Sequence, residues 1–198
     1  MPPKAAKGEY IETDTGNKIS RRSQIHGTQH IMLGGKSIIM ADAVVRGDLF
    51  RPSSTPKPDP NDPNAKQPQN TIAISIGRYT FISRSAILRP PSRLSRGVHS
   101  YTTLHIGHHV FVGERTIVEA AKVEDYVTIG KDAVVGNMAI LKERCQVLDG
   151  AVVPQGMVVP SHCVVGGQPA RILGDVSIAY GVEGLEGGLS RERYRSIR

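Results

Sequence analysis

VEDYVTIGKDAVVGNMAILKERCQVLDGAVVPQGMVVPSHCVV, Val123 to Val165, decides the fold. Aliphatic residues fall at Val123, Ile129, Val135, Leu141, Val147, Val153, Val159 and Val165, eight hits at a strict spacing of six. With two residues in five hydrophobic, chance gives such a run roughly once in a thousand or more trials per register. An α-helix sets residues six apart about 120° out of phase, so no helix uses this pattern.

Working outward, the step of six recurs at Ile106, Val112 and Val118, which joins Val123 by a slip to five. It recurs again at Ile76, Ile82 and Leu88. Near the start Ile19, Ile25 and Ile31 are followed, after a slip of two, by Leu33, Ile39 and Val45. Two positions before these aliphatics stand small or modest residues such as Ser37, Ala43, Thr116, Ala133, Ala139, Cys145, Ala151 and Cys163. Side chains two apart share one side of a strand. The position after the aliphatic is often glycine (Gly77, Gly107, Gly113, Gly130, Gly136, Gly166), which allows a tight corner with positive φ. The pattern predicts an all-β chain of short strands and sharp corners, three hexads per turn of a triangular parallel coil. About twenty such positions give six to seven coils. Ile129 then stacks on Val147 and Val147 on Val165, while Val135 stacks on Val153. The period leaves the hand of the coil open.

The predicted organisation is an N-terminal extension over 1–15, the β-helix over 16–172 and a tail over 173–198. Residues 50–71 carry six prolines and little to bury, which reads as a flexible surface insertion. Residues 90–104 form a second excursion. In the tail, SRERYRSIR reads as a short helix with Ser190 as its N-cap.

The net charge of +7 invites a nucleic-acid reading, but the basic residues are scattered except for Arg191, Arg193, Arg195 and Arg198. Aromatics make up 5% of the chain and tryptophan is absent, so no base-stacking platform is visible. An acidic protein surface is the expected partner of the arginine tail. Two cysteines, Cys145 and Cys163, are too few for a disulfide framework and fall at inward positions one coil apart. No apolar run is long enough to span a bilayer, and MPPKAAKGEY lacks the apolar centre of a signal peptide. The expectation is a cytoplasmic protein with reduced, buried thiols.

VVRGDL (Val44 to Leu49) and GGQPARIL (Gly166 to Leu173) resemble segments of the γ-class carbonic anhydrases. That resemblance implies a zinc ion held between subunits by three histidines. The matching segments here read ISRSAILR (Ile82 to Arg89) and VFVGERTIVEAA (Val110 to Ala121), which puts Arg89, Glu114 and Glu119 at the three metal positions. A guanidinium offers only donors, and two carboxylates do not make the nitrogen-rich shell of catalytic zinc. Neither a metal nor a cofactor is expected, and the three side chains are candidates for an ion-pair cluster. The acyltransferases of the hexapeptide-repeat superfamily need a histidine general base. Here His99, His105, His108, His109 and His162 lack any spacing that marks an orienting carboxylate, and all are expected on the surface. The left-handed sense expected for the β-helix comes from resemblance to this superfamily.

A narrower resemblance lies in EYIETDTGNKISRRSQIHGTQHIMLGGKSIIMADAVVRGDL (Glu9 to Leu49), SRSAILRPP, LHIGHHVFV, IGKDAVVG and LDGAVVPQGMVVP. These blocks resemble the dynactin subunit 5 family over roughly residues 9 to 165. The resemblance implies a non-catalytic scaffold in the pointed-end complex of dynactin, supporting dynein-driven transport of cargo such as early endosomes along microtubules. Its implied companions are the related β-helix dynactin subunit 6, the dynactin p62 subunit and actin-related protein 11. Arg46 and Asp48 match residues that bridge subunits in the carbonic anhydrases. With Ile25, on an end coil without an obvious cap, and Arg89, they are the candidate partner contacts. The alternatives are a carbonic-anhydrase-like enzyme or a hexapeptide acyltransferase.

Overall fold

Two-residue strands alternate with two-residue turns through most of the chain, and this local economy sets the architecture. A computed structural model describes residues 9–50, 72–95, 98–176 and 185–197. Residues 51–71 of the proline-rich insertion, residues 1–8 and Arg198 lie outside the described residues.

The strands stack into three parallel sheets, the faces of a triangular prism. The first face holds Lys18–Ser20, Ile38–Ile39, Phe81–Ile82, Phe111–Val112, Thr128–Ile129, Gln146–Val147 and Cys163–Gly166. The second runs from Gln24–His26 through Val44–Arg46, Ile87–Leu88, Ile117–Val118 and Val134–Val135 to Val152–Val153. The third runs from Ile31–Leu33 through Ile74–Ile76, Leu104–Ile106, Lys122–Val123 and Ile140–Leu141 to Val158–Val159. The described residues thus make six turns and the first strand of a seventh. It is a left-handed parallel β-helix.

The register is the one the hexads predict. Ile129 pairs with Val147 and Val147 with Val165, while Val135 pairs with Val153. All five are fully buried, as are Ala133, Ala139 and Ala151 two positions before an aliphatic. Large and small side chains therefore fill a narrow triangular column. Each stacked aliphatic removes enough apolar surface to contribute about 1.5–3 kcal/mol, offset by the entropy of ordering its coil. The slip between Ile31 and Leu33 is two inward positions of one strand, opposite Ile74 and Ile76.

The corner glycines are there for a different reason than expected. Positive φ falls two positions later, on non-glycine residues such as Tyr79, His109, Arg115 and Asp132. What the glycines supply is thinness. A Cβ on Gly77 would lie 2.4 Å from the Gly107 carbonyl oxygen, and one on Gly113 would lie 2.4 Å from that of Gly130. Coils can approach at strand spacing only where no side chain intervenes.

The ends of the prism also differ from an open coil. On the first face, Tyr10–Glu12 pairs antiparallel with Lys18–Ser20, and Arg171–Asp175 pairs antiparallel with Cys163–Gly166. Among the described residues no strand pairs beyond Gln24–His26 or Ile31–Leu33, so Ile25 sits half-buried on an uncapped edge. The tail helix α1 spans Leu185–Ser196 and runs through Ser190, which is therefore not its N-cap. Gly187 and Gly188, inside it, weaken it by about 1 kcal/mol each relative to alanine. Docking overrides that cost: the Lys18 ammonium donates to the Tyr194 and Ile197 carbonyls, and the Tyr194 hydroxyl donates to the Gly16 carbonyl at 2.6 Å.

Cys145 and Cys163 are both free and buried. Burial pushes the Cys145 thiol up to about 12. An unfolded cysteine ionises near ~8.5, so the buried neutral thiol contributes stability fully below that pH and loses it as pH rises toward 12. Cys145 is expected to resist thiol reagents at pH 8 until the chain is denatured. In Cys145→Ala, the fall in melting temperature above about pH 9 should shrink; an unchanged alkaline slope would contradict this.

Candidate functional site

The corner between the second and third faces collects most of the residues singled out from sequence. Arg46 follows Val45 there, and Arg89 and Glu119 follow Leu88 and Val118, whose strands pair directly. A hairpin leaves from this corner before Leu104–Ile106, while residues 51–71, outside the described residues, fall in sequence between Val44–Arg46 and Ile74–Ile76. The hairpin pairs Ser92–Ser95 antiparallel with Val98–Tyr101. Asn137 fastens its base, accepting from the Ser92 N–H at 2.9 Å and donating to the Ser92 carbonyl at 2.6 Å. Leu94, on the strand Ser92–Ser95, stands 63% exposed.

Arg46 forms a two-pronged bond to Asp48, both at 2.8 Å. This hydrogen bond holds the Asp48 carboxyl below the usual carboxylate range. The pair is more than one-third exposed on each side, so its worth to stability is small and it remains available to a neighbour.

Of the three metal positions, the structure joins only two. Arg89 meets Glu119 at 2.9 Å across adjacent coils. Glu114 lies on the corner between the first and second faces, five residues before Glu119. Its neighbour is Arg115, at 3.8 Å, which itself grips Asp132 with two bonds of 2.6 Å. The predicted three-member cluster is therefore a pair plus a separate triad. A spacing of five spans one face, so the two glutamates cannot share a corner. These residues do not fit zinc: one of the three is an obligate cation, and the carboxylate beside it is already neutralised.

The histidines divide. His108 Nδ1 accepts from the Arg78 N–H at 2.8 Å, which uses its basic nitrogen in a backbone contact. His105 borders a cleft of about 430 Å³ on the third face with Lys122, Glu124, Asp125 and Glu143. Glu124 there is held by Lys122 at 2.9 Å and Lys142 at 3.2 Å. Among the described residues no three of His, Cys, Asp and Glu cluster as a metal site would.

His109 is not the ordinary surface residue expected. It stacks between Tyr79, at 5.2 Å, and Tyr126, at 4.9 Å, along the corner between the third and first faces. Lys36 lies over Tyr79 and Arg144 over Tyr126, each 5.6 Å from the ring centre. Burial, then the charges of Arg191 and His108, push the His109 imidazole below its ordinary range. This column escaped the sequence reading, although its signal is present: each member stands third after an aliphatic at every third hexad. The arginine tail also departs from expectation. Arg193 lies 4.0 Å from the Phe111 ring centre and Arg191 5.8 Å from that of Tyr79, so both meet aromatic rings of this chain. Cations over ring faces contribute about 0.5–2 kcal/mol each.

The model of the family described as dynactin subunit 5 matches residues 4–54 and 67–181. Dynactin subunit 5 of Dictyostelium discoideum is 34% identical over 123 residues, covering 62% of this chain and 51% of that protein. The mitochondrial gamma carbonic anhydrase 1 of Arabidopsis thaliana is 33% identical over 101 residues, covering 50% of this chain and 36% of that protein. The matches thus span about half of the first relative and about a third of the second. Among solved structures, the N-acyltransferase AntD of Bacillus cereus superposes with a TM-score of 0.61 at 12% identity, covering 89% of this chain and 88% of that one. A hexapeptide transferase family protein of Anaplasma phagocytophilum gives 0.57 at 19% identity, covering 91% and 89%. These two show the fold alone. The family model covers most of the chain, and with it the corner that bears Arg46, Arg89 and Glu119: this chain belongs to the dynactin subunit 5 family.

Proposed function

We propose that this dynactin subunit is a non-catalytic scaffold of the pointed-end complex, supporting dynein-driven transport of cargo such as early endosomes along microtubules in the cytoplasm. The observation that carries this reading is the Arg89–Glu119 pair, which stands where a metal-dependent relative needs imidazole nitrogens. The rigid prism offers flat faces, an uncapped edge at Gln24–His26 and a hairpin arm, the features a stacking subunit uses. Its companions in this reading are dynactin subunit 6, the p62 subunit and actin-related protein 11. Arg46, Asp48, Arg89 and the edge residue Ile25 are the proposed contacts.

Affinity purification from cells tests the assignment. The wild-type chain is expected to recover all three companions, and Arg46→Glu with Arg89→Glu is expected to recover at least about tenfold less while melting within a few degrees of wild type. Full recovery by the double variant would remove these residues from the interface. Stoichiometric zinc with bicarbonate dehydration, or measurable coenzyme A binding, would overturn the scaffold reading.

A further inference from the structure

The strand Arg171–Asp175 is the outermost of the nine-stranded first face, and all five of its residues are exposed. Among the described residues nothing pairs with its outer edge. Two apolar side chains lie on it in sequence, Ile172 at 52% and Leu173 at 63% exposure. The register slips at Val164 and Val165, so Leu173 has no partner residue on the inner strand. Neither Arg171 nor Asp175 forms an ion pair among the described residues; Arg171 donates to the Ala170 carbonyl, and Asp175 accepts a long bond from the Cys163 thiol. An edge of this length with apolar residues is a template for another strand.

The sequence of the edge specifies which strand. Read antiparallel to itself about Leu173, RILGD is self-complementary. Arg171 falls opposite Asp175 of a second copy, and Asp175 opposite its Arg171. Ile172 falls opposite Gly174, and a Cβ on Gly174 would meet nothing within 4 Å, so there is open room for the isoleucine. Leu173 meets Leu173 on the two-fold axis. A contact of this kind is isologous, and each pairing is made twice. Opposite charges directly across an antiparallel pair are favourable, and like charges are not.

We propose that Arg171–Asp175 is a self-association edge, through which two copies of this chain pair end to end and join their first faces into one continuous sheet. The contact is small, so the dimer is weak and populated at high concentration.

Sedimentation of the full chain over a wide concentration range tests this. The wild type is expected to show reversible dimerisation. Arg171→Asp sets aspartate against aspartate, and Asp175→Arg sets arginine against arginine, so each alone is expected to dimerise about tenfold or more weakly. The double variant Arg171→Asp with Asp175→Arg is expected to restore the dimer. The two single variants, mixed, are expected to associate with each other, because both charge pairs are then opposite. Melting curves establish that each variant is folded. A chain monomeric at every concentration overturns the proposal and leaves the edge to a strand of another protein. A dimer indifferent to the single swaps overturns it too.

Discussion

Replacing Ile129 with alanine is expected to cost about 2–5 kcal/mol, a large share of the stability of a domain this size. Ile129 is fully buried and sits between Val112 and Val147 in the stack of the first face. Its neighbours cannot close over the gap, because strand hydrogen bonds from the coils on both sides fix the backbone. The loss is transfer energy plus an unrelaxed cavity. In a stacked coil each turn touches only its neighbours, so the damage is expected to be local. Amide hydrogen exchange should quicken most in the coils from Phe111 to Val165 and much less around Ile39 and Val45. Uniform acceleration along the whole chain would show that the coils fold as one unit.

The second large effect comes from adding a single carbon. Gly113→Ala is expected to destabilise by about 1–3 kcal/mol, the range for overpacking a rigid site. The new Cβ would stand 2.4 Å from the Gly130 oxygen and 2.5 Å from its carbonyl carbon, both backbone atoms that cannot rotate away. Gly150→Ala is the control: its φ is +66 but a Cβ there meets nothing within 4 Å, so it carries only the left-handed backbone penalty of about 1–2 kcal/mol. If Gly113 were required for its backbone conformation, as Gly150 is, the two variants should melt alike. A clearly lower melting temperature for Gly113→Ala is the outcome expected from crowding.

The coil was legible because its information repeats. Val135 and Val153 announce the same environment eighteen residues apart, and every coil restates it. The Arg89–Glu119 contact joins two positions that the sequence reading sets side by side as candidate ion-pair partners. Other features depend on what occurs once. Glu114 and Glu119 look like partners in sequence, yet five residues carry the chain around one face and separate them. The glycines at Gly77 and Gly113 read as tight corners with positive φ, but their role depends on the carbonyl of the next coil, which no local pattern displays. The two antiparallel closures at Tyr10–Glu12 and Arg171–Asp175 break the period that made the rest readable. Likewise Arg191 and Arg193 read as contacts for an acidic protein surface until their aromatic partners, more than eighty residues earlier, are brought beside them.

The tie between Lys18 and the carbonyl of Ile197 joins residues 179 apart. A ribosome releases Lys18 long before it makes Tyr194, so the coils can assemble in order, each on its predecessor, with the lysine unengaged. The helix α1 then seats after the coils, returning to the part of the molecule that was made earlier. Until it does, the stacked rings of Phe81 and Phe111 lack the Arg193 guanidinium that otherwise lies over both, and a chain with α1 undocked is distinguishable from a docked one by that difference.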